Sequence, residues 1–343
     1  LSVAAMGPFR MSRLGSRIVR WFVVLAVLPI ALWSGYWVAG AYTLEQATAR
    51  AFNEARRAGA AAEFDEAAVS GYPTRFATSL ADISVSGENL VWQTQAVMID
   101  AESHRPFDIA LDLSEPHRIA GRFGDLGVDA SEAQVTALFR PEWELPLDRI
   151  ALDATEVFVN FSDQGRIDMT RVLSALQQDP DSMTTYRVAA AIEDMVLNGL
   201  LVDLPPDYHI IPEVRLDGLL RFDRAWDRSV LEEGAPLLVE LVLSRAAFEF
   251  GSSAITLQAQ LSRDQHAAVS GTVNVTVQGW RSLFDLALEV GYIDLELESF
   301  FLPILQELAS QEVPETELSL PLRIEDGTVS FGAITLGMLP TVP

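Results

Sequence analysis

The chain contains no cysteine, and every one of its 24 basic residues is arginine, so lysine is absent too. The first absence excludes a disulfide framework and a thiolate-ligated metal. The second excludes a Schiff-base amine and the lysine of a phosphate-binding loop. Histidine is scarce: His104, His117, His209 and His266 stand singly, none at the His-x-x-x-His or Glu-x-x-His spacing that a zinc site uses. No Gly-x-Ser-x-Gly elbow, dinucleotide-type glycine pattern or phosphate loop occurs. Positive charge is in short supply, with 48 acidic residues leaving a net charge of −24 over 343 residues, which disfavours nucleic acid or an anionic lipid surface as partner of the main body. No residue is therefore singled out as catalytic, cofactor-binding or metal-binding, and the expected protein is non-enzymatic.

What is present begins with an address. Arg10, Arg13, Arg17 and Arg20 precede an uncharged stretch from Trp21 to Leu44, long enough for a hydrocarbon core of about 30 Å. Trp21, Phe22, Leu25, Leu28 and Leu32 carry its apolar character. Summed over the aliphatic and phenylalanine side chains, insertion is favoured by about 3 to 5 kcal/mol. The arginines lie before the span and the first charge after it is Glu45, so the amino end is expected in the cytoplasm and everything beyond Leu44 outside the inner membrane. Trp33, Tyr36 and Trp37 then fall at the outer interface, where amphipathic rings lie. The competing reading is a cleaved signal, since Ala39-Gly40-Ala41 has the small-x-small form of a peptidase site, but the apolar run exceeds a signal core and ends in bulky aromatics. A chain beginning at Leu1 also points to Met6 or Met11 as a start. After Leu44, 20 arginines face 48 acidic residues, a net charge of −28, and an acidic domain free of cysteine fits a bacterial periplasm.

Hydropathy periodicity divides the rest. Leu44, Ala47, Ala51, Phe52 and Ala55 recur at helical spacing, extending the anchor over 45–59 with Gly59 as its cap. From residue 60 the period becomes two: Ile83 and Val85; Val157, Val159 and Phe161; Leu216 with Leu219 to Phe222; Leu237 to Leu243 with Phe248 and Phe250; Ile255, Leu257 and Leu261; Val273, Val275 and Val277. Helices are expected at Asp168 to Gln178, Trp280 to Val290 and Ser299 to Ala309, while Tyr186 to Leu201 fits either helix or strand and is taken as strand. The chain therefore reads as a basic cytoplasmic terminus (1–20), a transmembrane helix (21–44), a periplasmic helical extension (45–59) and a β-rich periplasmic domain (60–343). The fold class is α+β dominated by antiparallel β, a large curled sheet with a few packed helices. Acidic pairs such as Glu142/Glu144 and Asp179/Asp181 lack the central Gly and terminal Glu of a calcium loop and read as solvated turns. Arg215, Arg221, Arg224 and Arg228 interleave with Asp217, Asp223 and Asp227, which reads as a neutralised surface.

The hexapeptide Gly71-Tyr72-Pro73-Thr74-Arg75-Phe76 forms a tight turn with Tyr72 and Phe76 able to pack on one side. It resembles the Gly-Phe/Tyr-Pro-x-Arg-Phe signature of a Gram-negative family, domain-of-unknown-function family 2125. The Leu32-Trp-Ser-Gly-Tyr-Trp37 exit, the pairs Arg105-Pro106 and Glu115-Pro116, and the ending Ile324 to Gly337 before Leu339-Pro340 extend that resemblance over nearly the whole chain. The resemblance implies an address and an architecture rather than a mechanism. The same plan is similar at the level of fold to AsmA-type lipid-handling proteins, in which a curled sheet offers an apolar trough to acyl chains. The expected partners are accordingly the membrane itself and a lipid ligand serving envelope homeostasis. The alternative is a sheet closed on its own side chains that recruits another envelope protein, through an open edge by strand addition.

Overall fold

The computed structural model describes residues 28–46, 50, 53, 56, 61–63, 66–87, 90–121, 124–162, 165–200, 204–264, 267–291, 293–310, 316–332 and 334–339. A helix over 28–46, α1, leads into strands β1 (Ala61–Glu63), β2 (Glu66–Ser70), β3 (Arg75–Ser86), β4 (Leu90–Glu102), β5 (Arg105–Asp112), β6 (His117–Gly121), β7 (Gly124–Phe139) and β8 (Leu147–Phe161). There follow β9 (Gly165–Gln178), β10 (Thr185–Asn198), β11 (Ile210–Phe222), the short α2 (Val230–Glu233), β12 (Leu238–Phe250), β13 (Ser253–Arg263) and β14 (Val269–Gln278). Two helices, α3 (Trp280–Glu289) and α4 (Leu295–Ala309), precede β15 (Glu317–Glu325), β16 (Thr328–Phe331) and β17 (Ile334–Met338).

All pairings among the described residues are antiparallel, and they join one sheet. β1 and β2 share one edge of β3, and β5 and β6 lie end to end between β4 and β7. From β7 to β15 each strand pairs with the next, and β16 and β17 complete the order. No ladder joins β17 to β1 or β2 among the described residues, so the sheet has two edges.

Because side chains alternate across a strand, this register sorts them into two faces. One lateral row runs Ile99, Leu111, Val135, Leu152, Ser174, Ala190, Leu216, Ala246, Leu257, Val275, Leu320. At about 4.8 Å per strand that row is about 48 Å long, with a single polar side chain. The neighbouring row on the other face runs Asp112, Gln134, Asp153, Leu173, Ala191, Arg215, Ala247, Thr256, Thr276, Ser319. The three valines of β14 lie on the apolar face as their alternation requires, with Thr272, Asn274 and Thr276 opposite.

A crease crosses the strands. Asp82, Glu156 and Asp194 each adopt φ 49°, a left-handed conformation, and each falls where the ladder skips a pair. At this line the apolar face changes phase: Leu80 is followed by Ile83, Ala154 by Val157, Met169 by Val172, Ile192 by Met195. The ladder corrects one expectation. Asp168 to Gln178 is strand β9, not a helix: Asp168 resembles an N-cap and Val172, Leu173 and Leu176 fall at helical spacing, but the segment pairs with both β8 and β10. Tyr186 onward is strand, as taken, and the helices expected from Trp280 and up to Ala309 form as α3 and α4.

Among the described residues, α3 and α4 pack on the apolar face near one edge and α1 near the other. α3 and α4 pack Trp280, Phe284, Leu305, Leu308 and Ala309 on Ile255, Val275, Val277, Leu318 and Leu320. α1 lies beside β3, and the loop 223–237 brings Trp226 with Phe222 against Leu147 and the fully buried Tyr186. Along β5 to β12 no described helix lies over the apolar face, and Leu152, Ala190 and Leu216 remain half-buried.

Two predictions follow from these positions. Glu156→Gly relieves the left-handed strain and leaves urea stability within about 0.5 kcal/mol of the parent or above it, whereas Glu156→Val costs about 2 kcal/mol, the penalty of a β-branched residue at positive φ. Burial pushes the Tyr186 phenol up, while its OH donates to Leu147 O at 3.3 Å. A group raised in the folded state stabilises fully below its unfolded value of about 10 and loses that contribution as pH rises further, so the melting temperature falls above about pH 10. Tyr186→Phe flattens this alkaline decline and costs about 1 kcal/mol at neutral pH.

Candidate functional site

The turn motif and the aromatic residues of α1, far apart in sequence, form one contact. Gly71, at φ 97°, opens the turn, and its carbonyl accepts the amides of Thr74 and Arg75. The turn carbonyls then become acceptors for α1. Trp33 Nε1 donates to Pro73 O at 2.9 Å and Trp37 Nε1 to Arg75 O at 2.8 Å, while Tyr36 OH donates to Ser103 O at 2.9 Å. Ser34 Oγ and Tyr72 OH lie 2.7 Å apart. Trp37 stacks on Phe76 with ring centroids 5.7 Å apart and meets Tyr72 edge-on, and Tyr36 meets Phe76 edge-on. Phe76 is buried, and Arg75 pairs with Asp100 on β4.

Two members were not legible as such in the sequence. Ser103, in the turn between β4 and β5, is buried, and its Oγ donates to the same Pro73 carbonyl at 3.0 Å. Gly40, part of the expected peptidase pattern, lets Phe76 in: a Cβ there would lie 2.7 Å from Phe76 Cζ. Of the expected anchor residues, Trp21, Phe22 and Leu25 lie outside the described residues, as does Gly59. Leu28 and Leu32 are exposed on α1. Among the described residues no helix is long and apolar enough to cross a membrane, and 21–27 of the expected span are not among them.

Contacts also give α1 a direction. Trp33 reaches Pro73, Trp37 reaches Arg75 and Gly40 meets Phe76, so the contacts advance along α1 as they advance from the turn into β3. Helix and strand therefore run side by side in the same sense, and the amino end of α1 leaves the sheet at the end where β3 starts.

The polar face holds shallow grooves, among them one lined by Asp153, Ala175, Ala189, Arg215 and Asp217 and another by Asp82, Gln93, Arg118, Asp125 and Asp129. Their arginines are paired with carboxylates. Arg118 bonds Asp125, Arg171 bonds Asp153 at 2.8 Å, and Arg215 reaches Glu213 at 2.6 Å. The hydrogen bonds from Arg118 and Arg171 hold the Asp125 and Asp153 carboxyls below the ordinary carboxylate range. Such shifts mark ion pairs, not an acid or base poised for neutral pH. Arg221 and Arg224 are paired with Glu240 and Glu233, and Arg228 sits over the Trp143 ring at 4.8 Å. His117 takes a hydrogen bond from Trp92 Nε1 at 3.3 Å, with its Nε2 3.0 Å from Leu113 O. Among the described residues no group of His, Asp or Glu is arranged to hold a metal ion. What the arrangement offers is therefore surface: a long apolar face, half-buried at Leu152, Ala190 and Leu216, fastened near one edge to an aromatic helix.

The fit at Gly40 is tested by paired substitutions. Gly35→Ala, with nothing within 4 Å of the added carbon, stabilises by about 0.5 to 1 kcal/mol, the ordinary helix-propensity gain. Gly40→Ala loses about 1 kcal/mol or more in the same unfolding measurement, because Phe76 is displaced from Trp37.

No curated protein and no solved structure matches the chain. A family model does, over residues 37–340, from the tryptophan stacked on Phe76 to the segment after β17, and its description is uncharacterized protein conserved in bacteria. With the match covering most of its length, the chain belongs to the DUF2125 family.

Proposed function

We propose that this protein is a non-enzymatic, single-pass inner-membrane protein whose periplasmic sheet holds or conveys a lipid through acyl contacts on its apolar face. The observation that carries this reading is the half-buried row from Ile99 to Leu320, apolar but for Ser174. A water-exposed apolar surface of that length is costly, at about 25 cal/mol per Å², unless something apolar occupies it. Acyl chains suit it because they need no hydrogen-bond partners and tolerate the small and large residues that alternate along the row. The matched ion pairs of the polar face give that side to water. The arginines before residue 21 and the uncharged stretch that follows support the anchor and the orientation.

A second reading, an adaptor that recruits another envelope protein, draws on β17. Ile334, Leu336 and Met338 are exposed on this edge strand, which has no charged residue. Native edges are usually protected by charge, proline or a covering element, and an apolar open edge is suited to strand addition.

A photoreactive residue in the full chain separates the two. Placed at Val172 or Leu216 on the apolar face, it is expected to form adducts with the mass of acylated lipid in the living cell. At Arg171 or Asp217 on the polar face it is expected to form none. Equal labelling of both faces, or no lipid adduct at 172 and 216, overturns the lipid reading. Capture of an extended segment of another envelope protein at Leu336 favours the adaptor.

A further inference from the structure

We infer that the row of turns at the end of the sheet where α1 departs rests on the bilayer surface, so that the strands stand upright on the membrane and their lower rim meets zwitterionic lipid. This rests on the anchor reading above. The register fixes which turns share that end: those before β3, β5, β8, β10 and β12, the β13–β14 turn with Asp264 and the β15–β16 turn with Asp326, with the end of β17 beside the start of β16. These places carry Tyr72, Phe107, Trp143, Met183, Leu237 and Met338, all exposed, with Trp143 at 76%. Trp143 and Met183 sit at turn tips, where burial in the fold gives no reason for large apolar side chains. At the other end Leu90, Ile210 and Ile334 are exposed in the strands and Phe300, Phe301 and Ile304 on α4, which joins β14 to β15 there, while the described turn residues include Asp207 and the pair Gly251-Ser252.

α1 supplies the direction. It lies parallel to β3 and is bound at the lower rim through Trp33, Tyr36 and Trp37, so a helix axis normal to the membrane sets the strands normal to it too. The exposed Leu28, Ile30 and Leu32 continue beyond this rim, towards the apolar residues 21–27 of the sequence. Aromatic side chains with a polar handle settle at the headgroup level, and Trp143, stacked under Arg228, has that form. Glu142, Glu144, Asp179 and Asp181 flank Trp143 and Met183, which makes an anionic surface repulsive and a zwitterionic one acceptable.

The natural absence of cysteine allows single labels in the full chain. Met183→Cys and Leu237→Cys report the rim, and Asp207→Cys and Ser252→Cys the opposite end, each carrying an environment-sensitive fluorophore in phosphatidylcholine vesicles with doxyl-labelled lipid. Quenching at 183 and 237 is expected to be about twofold or more stronger than at 207 and 252, as for groups seated in the interface. Adding phosphatidylglycerol should weaken it. Co-flotation with the vesicles reads the anchor separately: a chain that does not float refutes the anchor. A chain that floats with 183 and 237 as accessible to aqueous iodide as 207 and 252 overturns the seated rim. Quenching that strengthens with phosphatidylglycerol overturns its zwitterionic assignment.

Discussion

Most of the described strands are completed by a neighbour in sequence, and the antiparallel ladder is the constraint from which the rest follows. A buried or half-buried strand cannot leave its amides and carbonyls unpaired, because each lost hydrogen bond costs about 1 to 3 kcal/mol. Hairpin after hairpin meets this requirement locally, from the pair β3–β4 to the pair β16–β17. Short turns set the register, as at Asp326-Gly327, where two left-handed residues join β15 to β16. Once the register is set, the pleat determines which residues share a face, and no long-range packing is needed to sort them.

The same constraint accounts for the shape of the molecule. A sheet built mainly from strands adjacent in sequence grows sideways strand by strand. Burial is concentrated beside the crease, around Leu80, Ile83, Ala154, Val157 and Met169, and where another element arrives: α3 and α4 over β13 to β15, the loop with Trp226 over Tyr186, and α1 beside Phe76. Between these, stabilisation comes from cross-strand apolar neighbours on one side and arginine–carboxylate pairs on the other. The surface pairs contribute little each, since they are solvent-exposed. Keeping the arginines of one face paired with carboxylates leaves the other as the surface able to take a ligand without loss of hydrogen bonds.

The crease and the aromatic junction explain where the sequence was readable and where it misled. Val273, Val275 and Val277 alternate strictly because β14 lies away from the crease, and their strand was evident. β9 was taken for a helix because Asp168 resembles an N-cap and Val172, Leu173 and Leu176 fall at helical spacing. Nothing local marks Glu156 or Asp194 as left-handed, since acidic residues on a strand usually signify only a wetted face. Likewise Trp33, Tyr36 and Trp37 read as interfacial rings. Their hydrogen bonds to Pro73, Ser103 and Arg75 depend on a helix returning beside a turn about 38 residues away, a separation that no periodicity encodes.

The sequence by itself determined the strand-rich class, the alternation that makes one face apolar, the absence of the common catalytic motifs and the turn motif of the family. These are local properties, written in residue type and in spacings of a few residues. Tertiary structure alone decided that the sheet stays open at β17, that α3 and α4 pack on the apolar face near one edge and α1 near the other, and that Gly40 and Ser103 complete the junction around Phe76. Those outcomes depend on which distant surfaces meet. An apolar face looks the same in sequence whether protein covers it or not.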